Sequence, residues 1–155
     1  MGKLFDSLVQ FFEDDDWSFE RDSEHHRLTM RVTGKNASFH CFARTDEDKQ
    51  FVLFYSVLGL NAAEERRMAI AEFIARANYG LSIGNFELDF SDGEIRYKTS
   101  IDMEGGELTS DMINNLVSVN VRTAYQYFPG VTNVLFANMA PAEAIERVEN
   151  PTTTA

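Results

Sequence analysis

The sequence predicts an α+β fold, in which an antiparallel sheet of about five strands carries flanking helices in the order α-β-β-β-α-β-β-α. Three observations predict it. Apolar residues recur with a helical period near the start, in the middle and towards the end of the chain. Between these segments they alternate with polar residues, which is the period of a strand. The strands come in groups joined by short turns, and this grouping is typical of antiparallel sheets.

Length and composition favour one domain. The 155 residues, 44% of them hydrophobic, are enough to build a single packed core. We expect residues 1–149 to form that domain and residues 150–155 to be a disordered C-terminal tail. No apolar stretch approaches the roughly 20 residues that span a bilayer, and the first dozen residues do not resemble a signal peptide. The lone Cys41 fits a reducing compartment, so we expect a cytoplasmic protein.

The charge of the chain limits its partners. Fourteen Lys and Arg stand against 25 Asp and Glu, and the formal net charge is −11. Phosphate binding requires clustered basic residues, and anionic lipid surfaces attract them as well. We therefore expect neither nucleic acid nor a membrane as a partner. Solubility explains this charge better than an acidic docking surface does, although both remain open.

The first segment predicts a short amphipathic helix. Its apolar residues lie three and four positions apart, with Asp6 and Gln10 on the other side. The acidic run at residues 13–16 ends the helix and indicates a solvated loop. The apolar residues of this helix are Leu4, Phe5, Leu8, Phe11 and Phe12.

Strand periodicity follows the helix. Polar and apolar residues alternate around Trp17 and Phe19, then over residues 28–32, and again over residues 37–43. The turn-forming residues Gly34-Lys35-Asn36 separate the last two segments. With the segment at residues 51–57, this region predicts three or four strands.

The strand at residues 51–57 is apolar on both of its sides. The two sets are Phe51, Leu53, Tyr55 and Val57 on one side, and Val52 and Phe54 on the other. A strand of this kind belongs at a covered or interfacial position. We therefore predict Val52 and Phe54 as candidate protein-binding residues.

The second half of the chain predicts a helix, a hairpin and further helices. Asn61 is spaced from Glu64 as in a capping box, and Gly80 predicts a left-handed residue after the helix that follows. Ser91-Asp92-Gly93 between two alternating segments predicts a β-hairpin. A long helix capped near Thr109 or Ser110 is expected to be interrupted at Pro129-Gly130. Another helix over residues 131–137 and a short last one from Pro141 complete the order.

Asn120 lies beside the apolar stripe of the long helix. A buried Asn needs hydrogen-bond partners and can fix the register of an interface. A structural hydrogen bond within the domain is the favoured interpretation, and a recognition role is the alternative. Asn120 is therefore the third candidate protein-binding residue, beside Val52 and Phe54.

No catalytic, cofactor-binding or metal-binding residue is predicted. Cys41 lies in a strand with apolar neighbours, and the adjacent His40 points to the opposite face, so we expect a small buried thiol. His25 and His26 with one Cys supply too few ligands for zinc. The sequence contains no P-loop, dinucleotide fingerprint or nucleophile elbow. We expect no cofactor and no enzymatic activity.

Several motifs together resemble the YbjN-domain family, which is described as bacterial sensory transduction regulators. They are Trp17-Ser18-Phe19, Leu53-Phe54-Tyr55-Ser56-Val57, Arg76-Ala77-Asn78-Tyr79-Gly80-Leu81, Gly84-Asn85-Phe86-Glu87-Leu88-Asp89, Asp92-Gly93-Glu94-Ile95-Arg96-Tyr97-Lys98 and Pro141-Ala142-Glu143-Ala144-Ile145. The resemblance covers residues 17–149 and is most specific over residues 78–97. It implies a fold similar to the secretion chaperones of type III systems. Those are small, acidic, cytoplasmic homodimers that hold an extended segment of a client protein.

Two functions follow as expectations. The first is a non-enzymatic protein-binding or chaperone-like regulatory module that forms a homodimer and binds a protein partner by added strand pairing and apolar pockets. The alternative is a small-ligand sensor, or an enzyme, with a site assembled from scattered polar residues. The residues considered for that site are His40, Tyr55, Asn78, Tyr79 and Arg96.

Overall fold

A computed structural model describes residues 2–151, in which four α-helices and six strands alternate in groups. Met1 and residues 152–155, which are most of the tail predicted at residues 150–155, lie outside the described residues. The elements are α1 (Lys3–Asp14), β1 (Glu20–Asp22), β2 (Arg27–Thr33), β3 (Ser38–Asp46), β4 (Phe51–Asn61), α2 (Arg67–Tyr79), β5 (Asn85–Leu88), β6 (Glu94–Asp102), α3 (Ser110–Phe136) and α4 (Pro141–Glu149). This confirms the predicted α+β class.

The six strands form one antiparallel sheet in the order β1-β2-β3-β4-β6-β5. The first four make a meander, and the hairpin of β5 and β6 then adds β6 beside β4. The sheet has one strand more than the approximate number expected. Trp17 and Phe19 lie before β1 and not in a strand, and the Trp17 ring packs edge-on against Phe12 of α1 with centroids 5.2 Å apart.

One face of the sheet is covered by helices. Alternate side chains of β2, β3, β4 and β6 point to this face and are buried together with the apolar sides of all four helices in a single core. The largest fully buried side chains include Phe5 and Phe12 of α1, Phe73 of α2 and Tyr97 of β6. We call this side of the sheet the covered face.

Helix α1 is held to the sheet by its apolar side and by a cap from elsewhere in the chain. Its own N-cap residue, Gly2, makes no side-chain cap. Instead, the carboxylate of Glu47 in the β3–β4 turn accepts hydrogen bonds from the backbone N–H groups of Phe5 at 2.8 Å and Leu4 at 3.3 Å. A carboxylate at this helix end also interacts favourably with the helix dipole.

Helix α3 runs unbroken through Pro129, so the predicted interruption is wrong. Residues on both sides of the proline are buried, and tertiary packing there outweighs the hydrogen bond that proline removes. The glycine of the Pro129-Gly130 pair, which predicted the interruption, has a packing role: a Cβ at Gly130 would lie 2.7 Å from the Phe73 ring. The glycine lets α3 approach α2 closely and does not end the helix. The predicted cap is confirmed at Thr109, whose hydroxyl accepts from the Met112 N–H.

The predicted cap at Asn61 and the left-handed conformation at Gly80 are wrong, whereas the end of α2 directly before Gly80 and the hairpin are confirmed. Asn61 ends β4 and donates its side-chain amide to the Asp92 carbonyl, so it does not cap a helix. Gly80 has a φ of −102° and is not left-handed. Gly93 does have a positive φ of 81°, in the turn between β5 and β6. A Cβ at Gly93 would lie 2.1 Å from the Ala62 carbonyl oxygen, so this position requires glycine.

Candidate functional site

The other face of the sheet is not part of the core. We call it the open face and define it by nine outward side chains in the middle of the four inner strands, while Asp46, Glu94 and Asp102 lie towards the strand ends on the same side. The nine are Arg31, His40, Phe42, Arg44, Leu53, Tyr55, Val57, Arg96 and Lys98. All nine are half-buried or exposed, and none belongs to the core cluster. The helices of the described chain bury their apolar sides on the covered face.

Strand register places apolar side chains at the centre of the open face. Phe42 of β3 lies opposite Tyr55 of β4, and their rings stack with centroids 4.6 Å apart and planes 24° apart. Leu53 and Val57 flank Tyr55 along the same strand, because every second residue shares a face. These four residues form an apolar centre that is half-buried by its own neighbours alone.

Cations border this centre on both sides. On β6, the Arg96 guanidinium lies 4.3 Å from the Tyr55 ring centroid, in cation–π geometry. Glu87 of β5 accepts from Arg96 at 2.9 Å and from Lys98 at 3.3 Å, so one carboxylate serves two cations. At the middle of β6, two cations therefore share one carboxylate, whereas Glu94 and Asp102 lie near the two ends of the same side of this strand.

The border on the β2 and β3 side is positive and less compensated. Arg31 and Arg44 are exposed, and within residues 2–151 neither has a carboxylate in ion-pair range. Arg31 makes a long contact of 3.4 Å to the Ser38 hydroxyl. Neither arginine therefore has an ion pair of its own within the described residues, although Arg44 faces a cleft that Asp22, Asp46 and Asp48 also line.

The structure places all three predicted binding residues on the covered face. Val52, Phe54 and Asn120 have 0% exposed surface. A partner could meet them only if the helices left the sheet. The predicted two-sided character of β4 is present, but the side that solvent reaches carries Leu53, Tyr55 and Val57. A binding role for the three buried residues stays a prediction, and the fold gives them a core role.

Asn120 is the centre of a buried hydrogen-bond network. Its Nδ2 donates to the carbonyls of Phe54 at 2.9 Å and Tyr97 at 3.2 Å, and contacts the Thr99 hydroxyl at 3.2 Å. Its Oδ1 accepts from the Ser56 hydroxyl at 2.6 Å. One side chain of α3 is therefore tied to β4 and β6 together, which agrees with the favoured structural interpretation of this residue.

Cys41 extends the same network and is not reactive. Its Sγ lies 3.3 Å from the Ser56 hydroxyl and is fully buried on the covered face. Burial raises the pKa of the thiol to about 11, against its ordinary value of 9.0. His40 lies on the open face, as the alternation of strand residues predicts. The two side chains cannot form a nucleophile–base pair.

The edges of the sheet offer little room for an added strand. At the β5 edge, the side-chain amide of Asn78 accepts from the Phe86 N–H at 2.7 Å and donates to the Phe86 carbonyl at 3.1 Å. It occupies the two groups that another strand would use at this residue. At the other edge, β1 is only three residues long, and beyond it only residues 30–33 of β2 have no neighbouring strand on that side within the described chain. A partner therefore has more surface available on the open face than at either edge.

The structure brings only three of the five residues considered for a small-ligand site onto one surface. His40, Tyr55 and Arg96 share the open face, whereas Asn78 is bound to the Phe86 backbone. Tyr79 projects from the end of α2 and is 95% exposed.

A polar cleft of about 550 Å³ lies between the β1–β2 and β3–β4 turns. Three of its five carboxylates have partners: Glu47 caps α1, Asp22 binds the His25 ring at 2.8 Å, and Asp46 accepts from the Lys49 N–H at 2.9 Å. The His25 backbone N–H and ring lower the pKa of Asp22. In the described part of the chain, no three His, Cys, Asp or Glu side chains are grouped to hold a metal ion. Within residues 2–151, no helix has the length and apolarity needed to cross a membrane.

Comparison with known proteins decides the family. A family model for "putative bacterial sensory transduction regulator", named YbjN, matches residues 5–133, well over half of the chain. The chain belongs to the YbjN family. The resemblance carried by the sequence motifs is thereby confirmed, and the match also includes helix α1. No curated protein matches the chain.

Solved structures share this fold at low sequence identity. YbjN from E. coli superposes with a TM-score of 0.60 at 15% identity, over 77% of this chain and 84% of that one. The ExsC–ExsE complex gives a TM-score of 0.56 at 11% identity, over 83% and 95%. The HopA1–SchA chaperone–effector complex gives 0.53 at 15% identity, over 77% and 90%. The YbjN-family chain thus has the type III secretion chaperone-like fold, as the resemblance implied.

The open face is the feature that sequence reasoning did not select. Its signal was present, because Leu53, Tyr55 and Val57 share one side of β4 and Phe42 shares the matching side of β3. Both sides of β4 are apolar, so periodicity alone could not show which side the helices cover. The charged border depends on strand pairing, which places Arg96 and Lys98 beside β4.

Proposed function

We propose that this YbjN-family chain is a non-enzymatic, chaperone-like regulatory module that holds a partner protein on its open face. One observation carries the proposal: the apolar centre of Phe42, Leu53, Tyr55 and Val57 is bordered by cations and has no covering element within residues 2–151. Aromatic residues and arginine are the residues enriched in the centres of protein interfaces. The lone Cys41 fits a cytoplasmic location for this activity.

The fold supports a protein as the partner. Two of the similar solved structures are complexes between two proteins, one of them named as a chaperone–effector complex. The open face here presents side chains that such an activity requires. Stacked aromatic rings offer a large apolar surface with little conformational freedom to lose.

A homodimer, which is also part of the proposal, has a separate candidate surface. Met68 at the start of α2 and Phe136 at the end of α3 are both 73% exposed. Arg66 joins these two helix ends, because its guanidinium donates to the Val134 carbonyl and to Asn138. An interface between two copies at this corner would leave the open face of each copy free for a partner. Light scattering of wild type and of a Met68→Glu/Phe136→Glu variant tests this arrangement.

Photo-crosslinking tests the proposed function. A photoreactive amino acid replaces Val57 on the open face, and a matched variant carries it at the exposed Gln126 of α3. In lysate of the source organism, we expect a discrete crosslinked partner from position 57 and none from position 126. Excess unlabelled wild-type protein should compete for it, whereas excess protein with Tyr55→Ala/Leu53→Ala should not. Equal crosslinking from both positions, or none from position 57, would refute binding on the open face.

A further inference from the structure

We infer that the open face takes an amphipathic α-helix of the partner, with an apolar stripe along its centre and carboxylates on both flanks. This inference rests on the proposed function and names the chemistry of its partner. Three features of the molecule support it. They are the distance between the two cation borders, the border arginines that have no ion pair within the described residues, and the small number of free backbone groups at the sheet edges.

The spacing between the borders matches one helix. Arg31 and Arg44 lie on β2 and β3, and Arg96 and Lys98 lie on β6. Two to three strand spacings separate these borders, which is about 10–14 Å. A helix with its side chains is about 10–12 Å across. A helix parallel to the strands therefore places its apolar stripe on the ring of Tyr55 and its flanks over both borders.

The charge of the borders selects carboxylates on those flanks. Arg31 and Arg44 have no acidic partner within the described chain, and Glu87 is shared between Arg96 and Lys98. Carboxylates brought by the partner complete these pairs beside an apolar centre, where ionic hydrogen bonds are screened less than in open water. A basic helix would meet like charge on both flanks. The borders therefore favour an acidic helix over a basic one.

The sheet edges favour a helix on the face over an added strand. The Asn78 amide occupies the Phe86 N–H and carbonyl at the β5 edge, and β1 has only three residues to offer at the other. Added strand pairing needs a run of available backbone groups. The open face instead offers side chains, and side chains are what an amphipathic helix binds.

Two other occupants fit the face less well. A second copy of this chain, docked open face to open face, would set Arg31, Arg44, Arg96 and Lys98 against the same cations. Single-stranded nucleic acid can stack on aromatic residues of a sheet. Here, however, Glu87 stands between the two β6 cations, and the chain carries a net charge of −11 that repels phosphate.

Designed peptides test the inference directly. One labelled peptide of about 18 residues, long enough to form a helix, carries a Leu/Phe stripe with Glu on both flanks, and its counterpart carries Lys at the Glu positions. We expect the Glu peptide to bind the wild-type protein at least about tenfold tighter by fluorescence anisotropy, with a preference that falls as salt rises. The Arg31→Glu/Arg44→Glu variant should lose this preference or reverse it.

The matched control carries the same change in charge away from the open face. Lys35 lies in the β2–β3 turn and Arg122 is exposed on α3, so Lys35→Glu/Arg122→Glu should keep the preference for the Glu peptide. Melting temperatures of both variants close to wild type show that folding is unchanged. An equal response of both variants would show that net charge alone acts, and would overturn the inference.

Other outcomes also decide against it. Equal binding of both peptides, or none, would overturn it, as would an oligothymidylate that binds with comparable affinity and loses it on Tyr55→Ala. Self-association abolished by Arg31→Glu/Arg44→Glu would assign the face to a second copy. If crosslinking from position 57 captures a partner equally well in the Arg31→Glu/Arg44→Glu background, the proposed function stands and the acidic helix is wrong.

Discussion

The two sides of strand β4 have similar apolar content and opposite environments. Val52 and Phe54 on the covered face have no exposed surface, whereas Leu53, Tyr55 and Val57 on the open face remain half-buried. Hydrophobicity is therefore not what distinguishes the core from the proposed interface in this molecule. The difference lies in what each side packs against: four helices on one side, and neighbouring side chains alone on the other.

Polar groups differ between the faces in the same way. On the covered face, no buried side-chain nitrogen or oxygen of the described residues lacks a hydrogen-bond partner, and Asn120 alone contacts two strand carbonyls and two strand hydroxyls. On the open face, neither Arg31 nor Arg44 has an ion pair with any of the described residues. A core satisfies its polar groups internally, whereas a surface that binds a partner can leave some for the partner to satisfy.

The largest test of this contrast compares adjacent aromatic residues of β4. Phe54→Ala removes a fully buried ring and should lower the free energy of unfolding by about 3–5 kcal/mol. Tyr55→Ala removes a half-buried ring that stacks on Phe42, and should cost only about 1 kcal/mol. Urea denaturation measures both. Similar losses for the two variants would mean that the open face contributes to the core after all.

The second test replaces the centre of the buried network. Asn120→Leu leaves the Ser56 hydroxyl without its acceptor and unties α3 from β4 and β6, so we expect a loss of about 2–3 kcal/mol. Asn115→Leu on the exposed side of the same helix is the control and should change stability by less than about 0.5 kcal/mol. A neutral Asn120→Leu, or one that impairs partner capture without loss of stability, would instead favour the recognition role.

Local signals in the sequence predicted local structure well. The apolar spacing of α1, the Thr109 cap and the Asp-Gly turn before β6 are all present, because each depends on residues close together in the chain. The resemblance to the YbjN family predicted the chaperone-like fold. Both kinds of signal are independent of how the helices lie on the sheet.

Sequence motifs gave wrong predictions where their structural role depends on residues far away in the chain. Pro129-Gly130 resembles a helix end, but the glycine serves the approach of α3 to Phe73, 57 positions earlier in the chain. Asn61 matches a cap and instead bonds the Asp92 carbonyl. For β4, both sides satisfied the strand pattern, and only the placement of α3 and α1 decides which side is buried. The candidate site could not be chosen from the sequence for this reason.

The test with the smallest expected effect uses the titration of the Cys41 thiol, which is buried on the covered face. Folded Cys41 keeps its proton up to a pKa of about 11, whereas the exposed thiol of the unfolded chain loses it near 9.0. Because the folded pKa is the higher one, the contribution to stability is complete below pH 9 and is lost as the pH rises towards 11. Burial also raises the pKa values of Tyr97, Tyr125 and Tyr127 above 10.0, so the thiol acts alone only below pH 10. Between pH 9 and pH 10 we expect wild type to lose about 1 kcal/mol more than Cys41→Ala in urea denaturation. An identical pH dependence in both proteins would show that water reaches the Cys41 thiol. It would also show that water enters the interior on the covered face.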